Sequence, residues 1–232
     1  MGFATLSLTP AWVKNALSLG RQDQLHAAPP VARFSDDEGG GFVLDRRHHP
    51  ALLRFEDSAE VWVVSPSRGP RGDILFKDDV GETLLRVTKL GGVTVFTPRW
   101  PMGLAATLEG PTGALRVTPI GPEALYQRMI IASGRCSRVA RHLVPFEAPE
   151  ADAKSAAIIG DAALSAMNGI LGVASRPAGK AILARLLKVT FASGPAPAAW
   201  LRHGTLLISV NPKDGLAGHP SSARIALVLE GS

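Results

Sequence analysis

The hydrophobic pattern of this chain changes period once, at Gly121-Pro122, and that change restricts its fold more than any other feature. From Asp36 to about Pro119, turn residues are dense and the apolar runs between them short, which is strand behaviour. Phe42-Val43-Leu44, Ala51 to Phe55, Glu60 to Val64, Asp73 to Phe76, Thr83 to Leu90 and Val93 to Thr97 are rich in β-branched or aromatic residues. Gly103 to Leu108 and Ala114 to Thr118 extend the series. Short strands at this spacing predict an antiparallel meander, either a curved sheet or a small barrel. Two turns set hairpins within it. Asp78-Asp79-Val80-Gly81 lies between two apolar runs, and Gly91-Gly92 lies between Leu90 and Val93, each offering a glycine for positive φ. No repeat recurs at a fixed period of about 20 to 50 residues, which argues against propellers and solenoids.

Beyond Pro122 the apolar residues Leu125, Met129, Ala132, Cys136, Val139 and Leu143 are spaced by 4, 3, 4, 3 and 4 positions. At about 100° per residue they form one stripe, so an amphipathic helix is expected to start near Pro122, with Glu123 suiting its dipole. A second helix is expected from Asp152 to about Ala174, apolar around most of its circumference and therefore central, and a third over Ala178 to Leu187. Lys188 to Ala192 and Thr205 to Val210 read as strands joined by the Pro- and Ala-rich loop Gly194 to Gly204. Ser221 or Ser222 caps a final helix over Ala223 to Leu229, a run that suits a strand equally. The expected fold class is α+β: an antiparallel β meander followed by a helical segment with a small strand pair. Residues 1–35 are expected to form an N-terminal arm, 36–119 the β region and 120–232 the α+β region.

A chain of 232 residues can bury a substantial core. Its net charge of +5 is unevenly placed: residues 120–232 hold seven acids against twelve bases, which suits anionic partners. Cys136 is the single cysteine, so an internal disulfide and a multi-thiolate metal site are excluded. The stretch Ala156 to Ser175 has the length of a membrane span, but Asp161 and Asn168 lie inside it and three glycines dilute it. It reads as a buried helix, and no transmembrane segment is expected.

The common catalytic motifs are absent. There is no His-Glu-x-x-His, no Gly-x-Ser-x-Gly, no Ser-x-x-Lys, no phosphate-binding loop and no Gly-x-Gly-x-x-Gly; the triplet Gly39-Gly40-Gly41 precedes a strand rather than a helix. His48-His49 beside Arg46 and Arg47 makes a poor metal site, because neighbouring cations repel a metal ion. Asp78, Asp79 and Glu82 miss the spacing of a calcium loop and read as a polar hairpin tip. The Arg71-Gly72-Asp73 triplet is too short to carry integrin binding. No structural metal and no cofactor are expected. The more informative feature lies on the helix from Pro122. Arg128, Arg135, Arg138 and His142 project at about 300, 280, 220 and 260 degrees from Leu125, forming one basic ridge beside the apolar stripe. Guanidinium forks match phosphate geometry, so these four residues are the candidate ligand-binding set. Tyr126 is the only aromatic on this basic helix, which speaks against nucleic acid.

Asp37-Glu38-Gly39, Phe42-Val43-Leu44-Asp45, Leu53-Arg54-Phe55, Glu60-Val61-Trp62, Pro70-Arg71-Gly72-Asp73, Leu90-Gly91-Gly92, Ala124-Leu125-Tyr126-Gln127-Arg128 and Pro220-Ser221-Ser222 together resemble a bacterial family of unknown function. The resemblance spans most of the chain and implies no reaction, cofactor or site. It implies proteins of similar length, many with an export signal, and so a periplasmic or exported location. The first 30 residues show no signal-like apolar run, since Pro10, Lys14, Asn15 and Arg21 interrupt it, which keeps a cytoplasmic location as the alternative. The expected function is a non-catalytic binding module of the bacterial envelope, for an anionic small molecule or envelope component. The alternative is a hydrolase-type enzyme with dispersed catalytic residues.

Overall fold

The computed structural model describes residues 28–231. The expected N-terminal arm falls outside the described residues up to position 27. Eight antiparallel strands follow in sequence: β1 (Val31–Asp36), β2 (Gly41–Asp45), β3 (Ala51–Phe55), β4 (Trp62–Arg68), β5 (Ile74–Lys77), β6 (Thr83–Val87), β7 (Val93–Val95) and β8 (Leu104–Pro111). Each pairs with the next, and β8 returns to β1 with Phe34 opposite Leu108, so the meander closes as a barrel. Alternation along the strands sends Phe34, Phe42, Leu44, Leu53, Val64, Phe76 and Leu85 inward, all buried. The rings of Phe34 and Phe42 stack at 5.0 Å between centroids. Large side chains pack this interior, so the barrel is a core rather than a ligand cup.

Both expected hairpin turns are present, with Gly81 at φ +90° and Gly91 at φ +83°. Several strand ends shift by a few residues, as in β4 (Trp62–Arg68) and β6 (Thr83–Val87), and two differences bear on barrel closure. Strand β1 begins at Val31, inside the stretch expected to be an arm, because barrel closure needs a partner for β8. Ala114 to Thr118 is not a strand, since pairing of β8 with β1 leaves the barrel no free edge. It crosses the barrel wall instead, where the Leu115 N–H donates to Asp45 at 3.1 Å.

Helix α1 (Pro122–Ala140) starts with proline in its first turn and ends at Arg141 in a left-handed conformation, φ +62°. Its buried stripe is Leu125, Ala132 and Cys136, while Leu143 lies past the helix and is exposed. Helix α2 (Ala156–Ala174) is long and apolar enough to cross a membrane, yet it is 72% buried against the rest of the chain. It is the axis of the second core. Helix α4 (Ser222–Glu230) crosses it closely at Gly169, where an added Cβ would stand 2.7 Å from the Ser222 carbonyl oxygen. The third helix is short, α3 (Gly179–Leu183).

In place of the expected strand pair there are four strands: β9 (Phe146–Glu147), β10 (Lys188–Ser193), β11 (Ala198–Arg202) and β12 (Thr205–Val210), in the order β11-β12-β10-β9. Strand β10 runs parallel to both β9 and β12, while β11 is antiparallel to β12. The Pro- and Ala-rich loop thus contains a strand, turned back through His203 and Gly204, both at positive φ. The fold is α+β.

Two barrel carboxylates join the halves. Glu60, almost fully buried, accepts from Asn168 Nδ2 of α2 at 3.0 Å and from the Ser222 N–H at 2.8 Å. Asp79, on the β5–β6 hairpin, accepts from Ser221 Oγ at 2.5 Å and from its N–H at 3.2 Å. Both acids thus sit at the N-terminus of α4, where the helix dipole favours negative charge.

Candidate functional site

The four ridge residues do not act as one row. Arg128 points to α2 and pairs with Asp161 at 3.0 Å. His142 lies just past the end of α1, with Nδ1 3.0 Å from the Ala140 carbonyl oxygen and Nε2 2.7 Å from that of Leu186, so main chain occupies both ring nitrogens. Arg135 and Arg138 are exposed on α1 and make no hydrogen bond or ion pair with the described residues. The helical period placed all four on one side, and long-range partners then divided them.

A second group of basic side chains lies elsewhere. Where the barrel meets the second half, a cleft of about 900 Å³ draws its charged and histidine side chains from three separate segments. The β2–β3 loop brings Arg47, His48 and His49; the link between β8 and α1 brings Arg116; and the short 3-10 turn Pro212–Ala217 brings Lys213 and Asp214. Its floor is apolar, with Leu52, Val63, Leu115 and Leu216. Asp45 lies fully buried beneath the β2–β3 loop and holds Arg47 at 2.7 Å and 3.0 Å. Burial pushes the Asp45 carboxyl up, but hydrogen bonds from the Arg47 side chain and from the Arg47 and Leu115 N–H groups outweigh it, so the carboxyl lies below its ordinary range. Asp214, the one acid in the lining, accepts from Asn211 Nδ2 at 2.7 Å. The side chains of His48, His49, Arg116 and Lys213 have no partner among the described residues. A neighbouring cavity of about 400 Å³ shares Arg116 and Leu216 and adds Arg54 and the Arg128–Asp161 pair.

Sequence reasoning singled out His48 and His49 only as weak metal ligands and missed Arg116 and Lys213 altogether. The lining residues lie far apart in the chain, so no local spacing marks them. Among the described residues no group of three or more His, Cys, Asp or Glu could hold a metal ion.

One arrangement has the elements of acid–base chemistry. Asp161 and Ser165 lie one turn apart on α2, and His219 Nδ1 is 3.5 Å from Ser165 Oγ. Burial pushes the Asp161 carboxyl up, against the pull of His219 and Arg128. The geometry does not build a nucleophile, however. Ser165 is fully buried, and His219 Nδ1 also lies 3.0 Å from the Pro220 carbonyl oxygen, which calls for a proton on that nitrogen.

Residues 13–229 match the family described as a domain of unknown function (DUF4908). No curated protein and no solved structure matches the chain.

Proposed function

The chain belongs to that family of unknown function, and from this premise we propose that it is a non-catalytic module binding an anionic small molecule or envelope component. The observation that carries this reading is the cleft, where four basic side chains without partners among the described residues lie beside one acid that is already hydrogen-bonded. Guanidinium and ammonium groups over an apolar floor form charge-assisted hydrogen bonds with phosphate or carboxylate at low desolvation cost. Arg135 and Arg138 supply a second basic face, convex and poorer in contacts, that suits weak attraction rather than a site. Arg128 and His142, the other two ridge residues, are engaged inside the fold and serve the reading less well. An envelope location rests on the family resemblance, and fractionation of the native host tests it. The alternative reading, a hydrolase, rests on Asp161 and His219, and the burial of Ser165 weighs against it.

Isothermal titration with inorganic pyrophosphate and with citrate at low salt tests the proposal. The expected result is saturable binding that weakens about tenfold or more in an Arg116→Glu/Lys213→Glu variant and persists in Arg135→Glu/Arg138→Glu. The latter variant is expected to lose retention on an anionic matrix instead, with its melting temperature within a few degrees, since solvated surface changes rarely exceed about 0.5 kcal/mol. Absence of saturable binding, or equal binding by the cleft variant, overturns the assignment.

A further inference from the structure

The cavity of about 400 Å³ beside the basic cleft has walls of a different kind. Val61 of the β3–β4 loop, Ile131 of α1, Leu164 and Met167 of α2 and Leu216 of the 3-10 turn give it an aliphatic lining drawn from both halves. Its one acid, Asp161, is paired with Arg128 at 3.0 Å. Gly160 lets that guanidinium lie close against α2, since an added Cβ there would stand 3.1 Å from Arg128 Nη1.

The remaining charges are Arg54 and Arg116, both exposed. Arg54 acts only electrostatically on Glu56, whose carboxylate Arg33 already holds at 2.6 Å. Arg116 makes no hydrogen bond or ion pair with the described residues. Ile131 lines the cavity and is 54% exposed, and Leu164 is half-buried, so aliphatic surface stays open to water within a concave site. Such surface marks ligand grooves. Arg116 and Leu216 line the cleft as well as the cavity, so an anion held at Arg116 has the aliphatic walls within reach.

We infer that the anion carries an alkyl chain, the ligand being a single-chain amphiphile of the fatty-carboxylate class with its head at Arg116 and Arg54 and its chain among Val61, Ile131, Leu164, Met167 and Leu216. This rests on the anion reading of the cleft and adds the chemistry of the tail. Each methylene taken out of water favours binding, and the unbranched Met167 side chain adapts to the shape of an alkyl chain. An alcohol of equal length leaves both arginines unanswered.

Isothermal titration with acetate, butyrate, hexanoate and octanoate at one ionic strength, with hexanol as the neutral counterpart, tests the tail. Affinity is expected to rise about tenfold for every two methylenes. Hexanol is expected to bind about tenfold or more weakly than hexanoate. Ile131→Gln/Leu164→Gln removes two aliphatic walls without adding charge and is expected to weaken octanoate about tenfold or more while pyrophosphate binding stays that of the parent. Ile131→Gln alone, at an exposed position that leaves the fold intact, is expected to weaken octanoate about threefold. Pyrophosphate that saturates in the parent while octanoate does no better than acetate overturns the tail and keeps the cleft. Hexanol equal to hexanoate, or an unchanged chain-length dependence in Ile131→Gln, also overturns the tail. Anions that fail to saturate at any chain length overturn both readings.

Discussion

Gly81 shows how a single residue holds a register. It closes the β5–β6 hairpin at φ +90°, with open space where a Cβ would stand, so replacing it costs backbone strain and no collision. Gly81→Val is expected to destabilise the protein by about 1 to 3 kcal/mol, and Gly81→Asn by less, because asparagine visits the left-handed region more readily. Urea titration of both variants checks the order, and equal, negligible losses would contradict it. Asp45 acts through charge instead. Its carboxyl lies below the ordinary range because the hydrogen bonds from Arg47 and from two backbone N–H groups outweigh burial. An acid with a depressed folded pKa contributes stability that is fully present above its unfolded value and is lost as pH falls through the folded value. Acid unfolding below about pH 4 is therefore expected to be less steep in Asp45→Asn, which should also be about 1 to 3 kcal/mol less stable at neutral pH. Identical acid limbs for the two proteins would assign the transition to other carboxylates. Cys136 has no part in either effect: burial pushes its thiol up to about 12, and native protein is expected to resist alkylation until it unfolds.

Helix α4 is the element on which the two halves depend. Ser221 caps it by accepting from the Arg224 N–H at 3.0 Å, while Glu60 and Asp79 reach its first turn from the barrel. Ser221→Ala is expected to cost about 0.5 to 2 kcal/mol by thermal or urea unfolding, and at the upper end, because the Asp79 contact goes with the cap. A loss below that range would mean Asp79 caps the helix unaided. This cap was legible in the chain as Ser221 or Ser222, and the short apolar run after it resolved to helix rather than strand once the serine took the N-cap position. Strong periodic signals carried over likewise: α1 and α2 formed where the pattern placed them. Elements defined by partners were not legible. Strand β11 is Ala-rich and follows Pro195 and Pro197, so only its pairing with β12 makes it a strand. Strand β9 has two residues. Ala114 to Thr118 had strand composition and no neighbour to pair with. The basic cleft was hidden for the same reason, since Arg47, Arg116 and Lys213 meet only after the barrel has docked.

At the scale of the whole molecule, two apolar cores lie side by side. One fills the barrel; the other surrounds α2 and draws on α1, α4, β10 and β12. Barrel closure satisfies every strand edge in the first half, so that half has little need of the second for its hydrogen bonds. What couples them is a small apolar cluster, Val31, Val43, Leu52, Leu115 and Leu216, together with the Glu60 and Asp79 contacts. The clusters differ greatly in size, so the polar contacts hold a disproportionate share of the cooperativity: removing Glu60 leaves the half-buried Asn168 amide and the Ser222 N–H unpaired, at about 1 kcal/mol each. That cost falls on the second half, which contains both orphaned donors, while the barrel loses only the buried carboxylate of its β3–β4 loop, whose partners were those same two donors. Glu60→Ala/Asp79→Ala is therefore expected to unfold in two steps where the parent unfolds in one, with the α4 and α2 end opening first. Hydrogen exchange read peptide by peptide separates the outcomes. In the parent the slowest amides of both halves should share one opening free energy. In the variant, α4 and the C-terminal half of α2 should exchange faster while β2, β3 and β6 keep their protection. A uniform fall across both halves would show instead that the apolar cluster alone locks the molecule into one cooperative unit.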